Sequence, residues 1–328
     1  MQGPQKPKVT VIVLGGTIVS VYDFDQHCSR PALSGQELVN GVPGLAEAYT
    51  INLIEYCNIP GTQMTLDDAQ RLAQKIREEI ADDASAGVVV IQGTDTLEEI
   101  AFFIELVTDY EKPIVFTGAM KSANALYNDA SGNIHGAVCV AASPESRNRG
   151  VLVYMNEQIF SARDVTKANT TRIDSFQSIF GPLGAVNGNQ ITFWRAPERK
   201  PAYAVGELRK RIPIILSYAG MENGVMESCL KHSCDGIVIE GFGLGNVQPI
   251  LVPSIRKARD LGIPVIIASR CFGGVTYGES DYEGGGAQLG KMGVIFSGHQ
   301  NGLKARIKLC VLLSAGLPLD GITRSFAE

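Results

Sequence analysis

Short apolar runs separated by helical patterns recur along most of this chain, and that alternation restricts the fold more than any other feature. Val9–Leu14, Gly87–Ile91, Pro113–Phe116, Ala137–Ala142 and Val151–Met155 read as buried strands. Thr65–Ala81, Thr96–Asp109 and Asp129–Gly136 read as helices or helix starts. In the first of these, Leu66, Ala69, Leu72, Ala73, Ile76 and Ile80 form one apolar stripe at helical spacing. Thr65 stands where an N-cap belongs, with Asp67 and Asp68 in the first turn. Strands alternating with helices imply an α/β fold whose mostly parallel sheet is covered on both faces.

The alternation breaks after Phe193. The next stretch is charged, holds two prolines and lacks a stripe, so 194–211 reads as a linker. Strand and helix patterns then resume at Ile212–Ser217, Val225–Lys231, Gly236–Ile239, Pro253–Leu261, Val265–Ala268, Gly293–Phe296 and Leu303–Ala315. The expectation is a larger N-terminal α/β domain over 1–193 and a smaller α/β domain over 212–328. A net charge of -5 without a basic block argues against nucleic acid or an anionic membrane as partner. No run reaches the ~18–20 apolar residues of a membrane span, and Val9–Leu14 is too short for a signal-peptide core. The reading is therefore cytoplasmic. Seven scattered cysteines do not form a disulfide framework. Cys229 and Cys234 flank His232, but no second ligand pair follows at zinc-site spacing, so no metal is expected.

In parallel α/β sheets ligands bind beyond the carboxyl ends of the strands. Those ends carry Gly15-Gly16-Thr17, Gln92-Gly93-Thr94-Asp95-Thr96, Thr117–Lys121 and, further on, Ser161–Thr171. Two threonines beside glycines, an aspartate and Lys167 could converge there. A threonine hydroxyl attacks well only when a neighbouring base takes its proton, and a lysine can be that base. Each piece also has a plain reading. Gly15-Gly16-Thr17 suits a tight turn with a capping threonine. Gly93–Thr96 followed by Glu98 and Glu99 suits a helix start. Lys167 alone suits a solvated surface lysine.

The ordered set G-G-T-I, G-T-D-T-L-E-E, T-G-A-M-K, R-D-V-T-K-A-N-T-T, Phe176–Gly184, Gly241–Val247 and Ala268–Val275 resembles the bacterial-type L-asparaginase and glutaminase-asparaginase family. That family also holds archaeal glutamyl-tRNA amidotransferase subunits and other amidases. The resemblance covers nearly the whole chain. It implies that Thr17 is the primary nucleophile and that Thr94, Asp95 and Lys167 form a second threonine's relay. It places Gly61, Thr62 and Gln63 at the substrate's α-carboxylate and Asp95 at its α-amino group. Asn246, and Glu283 or Glu279, match residues given to a neighbouring subunit's site, so a homodimer or homotetramer is implied. No metal or organic cofactor is implied.

Two positions depart from the family's pattern. Gln92 stands where the family has histidine, and glutamine hydrogen-bonds without carrying a proton charge. The lid segment before Pro31-Ala32-Leu33 lacks the family's tyrosine in register. Tyr22 is the nearest tyrosine, and His27 is an alternative proton acceptor. The expected activity is release of ammonia from the side-chain amide of L-asparagine through a threonine acyl-enzyme. Glutamine, a D-amino acid amide or a cyclic amide is the alternative substrate. An amino-acid sensor without catalysis is a third reading, one that gives Lys167 no task.

Overall fold

The computed structural model describes residues 5–328; residues 1–4, the start of the expected first domain, lie outside it. The chain divides into two compact units after Ala202. That division falls inside the 194–211 segment. Among the described residues no helix or strand lies between Phe193 and Ile214.

The first unit begins with β1 (Lys8–Val13), the hairpin β2 (Ser20–Asp23) and β3 (Cys28–Pro31), α1 (Gly35–Asn40), α2 (Leu45–Ala48) and β4 (Thr50–Glu55). It continues through α3 (Leu66–Ile80), β5 (Ser85–Ile91), α4 (Leu97–Val107), β6 (Ile114–Thr117), α5 (Ala130–Ala142) and β7 (Val151–Met155). Five short strands close it: β8 (Gln158–Ser161), β9 (Val165–Lys167), β10 (Phe176–Ser178), β11 (Gly184–Asn187) and β12 (Gln190–Phe193). Eight strands form one sheet in the order β12-β11-β8-β7-β6-β5-β1-β4. The stretch from β4 to β7 is parallel, and β8, β11 and β12 extend it antiparallel.

Both faces of the inner parallel strands β1, β5, β6 and β7 are covered, which is why these strands read as apolar runs. Val9, Val11, Val13, Val89, Ile91 and Val115 pack with Ala137, Val138 and Val140 of α5. Side chains alternate along a strand, so Thr10 faces the other way, where its hydroxyl donates to Glu79 of α3 at 3.4 Å. The start of α3 follows its sequence signal. Thr65 and Asp68 form a capping box, with the Thr65 hydroxyl accepting the Asp68 amide at 3.1 Å. The Thr65 hydroxyl also holds the Asp68 carboxyl below its usual range. A carboxyl lowered by folding stabilises the fold above its unfolded pKa and loses that contribution as pH falls, so the cap weakens on acidification. Thr65→Ala should cost ~1 kcal/mol in urea denaturation at neutral pH, and less in acid.

Ala137–Ala142 is not a strand. It is the second half of α5, whose start alone was expected. A short apolar run without polar alternation has no period that separates a buried strand from a buried helix. Gly136 shows what the helix requires. A Cβ there would lie 2.0 Å from the Tyr154 ring of β7, so the small residue lets α5 lie close on the sheet.

The second unit holds β13 (Ile214–Leu216), α6 (Gly224–Lys231), β14 (Ile237–Gly241), α7 (Val252–Asp260), β15 (Val265–Ser269), α8 (Gly286–Lys291), β16 (Ile295–Phe296), α9 (Gly302–Ser314) and α10 (Leu319–Ala327). Its four strands form a parallel sheet in sequential order. The C-terminal helix α10 adds to the elements expected from the sequence. This helix is fixed to α9 by Lys308, whose Nζ donates to the Ser325 carbonyl at 2.6 Å and sits 4.7 Å from the Phe326 ring centroid. Among the described residues no helix is long and apolar enough to cross a membrane.

Candidate active site

The parallel strands of the first unit end in loops that meet at backbone distance. After β1 the chain turns on Gly15 and Gly16, at φ 108° and 99°, and Thr17 opens a single 3-10 turn to Val19. A Cβ on Gly16 would lie 2.4 Å from the Cα of Gly93, which follows β5. A Cβ on Gly93 would lie 2.8 Å from the amide nitrogen of Gly61, in the loop after β4. Three loops therefore touch through atoms that only glycine leaves free. Thr17, Gly61 and Thr94 are brought together by that contact.

The loop after β5 holds the polar cluster of the candidate site. Lys167, the last residue of β9, donates through Nζ to the Thr94 hydroxyl at 2.9 Å and to Asp95 Oδ1 at 2.7 Å. Thr94 is 4% exposed, and the Lys167 side chain is 15% exposed against 60% for Asp95. The amine thus bridges a buried hydroxyl and a carboxylate that faces solvent. A cleft of 430 Å³ opens over this group, lined by Asp95, Lys167, Ala168, Asn169 and Thr170. A hydroxyl held against an amine, with a carboxylate as third member, has the layout of a nucleophile or proton relay.

Gln92 is buried, 1% exposed, directly beneath this loop. Its Nε2 donates to the Thr96 hydroxyl at 3.0 Å, and that hydroxyl donates to the Gly61 carbonyl at 2.8 Å. The Gln92 Oε1 has no partner among the described residues. The glutamine thus ties the ends of β5 and β4 together by neutral donors, a task that needs no imidazole. Gln92, a departure from the family's pattern, thus has a structural task, and Thr96 is the bridge. Beyond the Gly61 turn, Thr62 and Gln63 are exposed and open to a ligand.

The lid segment is a hairpin. Asp23 Oδ1 accepts the amides of Asp25 and Gln26 at 3.0 Å each, and His27 takes φ 51° at the exposed tip. Tyr22 lies on β2, its ring edge-on to Phe24 at 5.1 Å. Its backbone is clamped by Asn124, which accepts the Tyr22 amide at 2.8 Å and donates to its carbonyl at 2.9 Å. Ser29 and Ser122 share a hydroxyl contact at 3.0 Å. The hairpin is therefore held by the loop after β6.

In the second unit Asn246 Oδ1 accepts the Gly286 amide at 3.1 Å, which ties the loop after β14 to the start of α8. Glu283 lies exposed in the loop before α8, and Glu279 accepts the Tyr277 hydroxyl at 3.1 Å.

Residues 8–199 match the sequence model of the asparaginase N-terminal domain, and residues 211–326 match that of the glutaminase/asparaginase C-terminal domain. The chain belongs to the asparaginase family. Among relatives of this asparaginase-family chain, the probable L-asparaginase of Deinococcus radiodurans is 36% identical over 98% of both chains. L-asparaginase 2 of Escherichia coli K12 is 32% identical over 94% of this chain and 89% of its own. The glutaminase-asparaginase of Acinetobacter glutaminasificans is 30% identical over 81% of this chain and 84% of its own. Membership makes the chain an amidohydrolase, and the two matched domains correspond to the two α/β units.

Proposed function

We propose that this amidohydrolase converts L-asparagine to L-aspartate and ammonia through a threonine acyl-enzyme. The observation that carries the reading is Lys167 held between the Thr94 hydroxyl and the Asp95 carboxylate, in a loop whose glycine touches the Thr17 turn. In this proposal the Thr17 hydroxyl attacks the side-chain carbonyl carbon. The carbon–nitrogen bond breaks, and ammonia leaves with a proton passed along the Thr94–Lys167–Asp95 relay. Water then attacks the acyl ester, frees aspartate and returns the proton to Thr17. Gly61, Thr62 and Gln63 take the substrate's α-carboxylate, and the exposed Asp95 carboxylate takes its α-ammonium. Tyr22 is assigned to the lid as the hydroxyl that polarises Thr17. Asn246 and Glu283 are assigned to a neighbouring copy's site, which makes the working enzyme a homodimer or homotetramer. Seven unpaired cysteines support a cytoplasmic setting.

Glutamine is the second reading, favoured by the glutaminase-asparaginase relatives and by the altered lid. Ammonia release over L-asparagine, L-glutamine, their D-forms and simple amides tests both. Higher kcat/KM for L-asparagine is expected. Turnover confined to another amide would replace the proposal, and binding without any turnover would leave only a sensor. The Gln92–Thr96–Gly61 chain makes a separate expectation. Thr96→Val should raise KM about 10-fold with little change in kcat, because it frees the carboxylate-binding turn from β5 and leaves Lys167 in place.

A further inference from the structure

Lys167 reaches Thr94 only if β9 runs alongside α4 in one register, and at the Lys167 end the backbone is held by β10, with the Ala168 amide donating to the Ser175 carbonyl at 2.7 Å. The β9 strand is short, paired among the described residues to β10 alone through Val165–Lys167. The side chain carrying the amine is long and flexible. A second attachment lies four residues earlier. Arg163 donates through Nε to Glu105 Oε1 at 2.8 Å; the Glu105 side chain is buried, 6% exposed, and that of Arg163 is largely covered, 14% exposed. The second oxygen of Glu105 accepts the amide of Val151, the first residue of β7, at 2.7 Å. The carboxylate is thus engaged on both sides and fixed to the sheet. Burial pushes its carboxyl up and the Arg163 guanidinium opposes that shift.

Glu105 lies near the end of α4, the helix that starts directly after Thr94, Asp95 and Thr96. The rise from Leu97 to Glu105 is about 12 Å at ~1.5 Å per residue. Arg163 itself lies in the turn that leads into β9, where the Asp164 amide donates to the Ser161 carbonyl at 3.1 Å. Along the way α4 and β9 are in contact. The strand and the turn before it are therefore tied to one helix twice: by Arg163 to the end of the helix, and by Lys167 to the loop that opens it.

We propose that the Glu105–Arg163 pair is the positioning device of the relay, holding the turn before β9 against α4 so that the Lys167 amine meets the Thr94 hydroxyl. This rests on the relay reading given above. Neither residue touches substrate in this assignment; both act through Lys167. An ionised pair in this place is also specific in a way an apolar contact is not, because the guanidinium Nε has one direction in which to donate.

The test is a double-mutant cycle on the full-length enzyme with saturating L-asparagine. Arg163→Lys and Glu105→Asp keep the charges and shift the register, and circular dichroism melts establish that each is folded before rates are normalised to folded protein. In the otherwise native enzyme each should lower kcat about 10-fold and change KM less than about 3-fold. In a Lys167→Met background the same changes should lower the residual kcat by less than about 2-fold, because their target is gone. Equal losses in both backgrounds would show a general structural role and overturn the inference. So would unchanged kcat in the native background. A near-normal rate for Lys167→Met alone would instead remove the relay reading, and this inference with it.

Discussion

Replacing Lys167 with methionine is expected to lower kcat by about 10²–10⁴-fold, the range for removing a positioned proton-transfer group. Methionine keeps most of the length and the apolar stem of a side chain that is only 15% exposed, so the walls of the cleft stay packed. What disappears is the amine that joins the Thr94 hydroxyl, at 2.9 Å, to Asp95, at 2.7 Å. Thr94→Val should produce a loss of the same order by removing the hydroxyl at the other end of that bond. The double variant should be little worse than either single, because members of one relay do not contribute independently. Steady-state ammonia release at saturating amide measures all three. Additive losses, or a Lys167→Met enzyme near the native rate, would mean that the relay is misassigned.

Gly16→Ala is expected to destabilise the first unit by about 3 kcal/mol or more and to abolish turnover. Two costs combine. The backbone at Gly16 has φ 99°, which an L side chain rarely adopts. The added methyl would also stand 2.4 Å from the Cα of Gly93 and 2.6 Å from its amide nitrogen. Those are backbone atoms of a neighbouring strand end, so no rotamer change relieves the contact. Gly44→Ala separates the two costs. Gly44 has φ 75° and open space around it, so it pays the conformational term alone, ~1 kcal/mol. Urea denaturation of both variants measures the difference. A Gly16→Ala enzyme no less stable than Gly44→Ala would refute the crowded contact.

The parts legible in the sequence are those where local chemistry and burial agree. The central strands are apolar throughout because helices cover both faces, and the α3 capping box is written as Thr65 and Asp68. The strand ends were likewise legible, since Gly15-Gly16-Thr17 and Gly93-Thr94-Asp95 interrupt apolar runs. Three features were not. The Ala137–Ala142 run has no periodicity to separate strand from helix, and small residues hide how closely it lies on Tyr154. The edge strand Thr50–Glu55 is only half covered and offers a mixed pattern. The hairpin of Tyr22 depends on turn chemistry at Asp23 and on the distant Asn124, and no local pattern gives a contact across about a hundred residues. The Glu105–Arg163 pair left one trace, a lone acid inside the run Phe102–Val107, which is conspicuous only once a buried partner is known.

The contact of Gly16, Gly61 and Gly93 also bears on how readily this enzyme can change its preference. That part of the candidate site is main chain, and main chain is the same whatever residue selection offers. Substitutions at those three positions crowd the backbone of a neighbouring loop before they alter any group a substrate could meet. Variation in what the enzyme accepts is therefore left to the side chains around that fixed backbone: Asn169 and Thr170 at the cleft, Thr62 and Gln63 on their turn, and the outer residues of the β2–β3 hairpin. A library aimed at new amides is best confined to those positions.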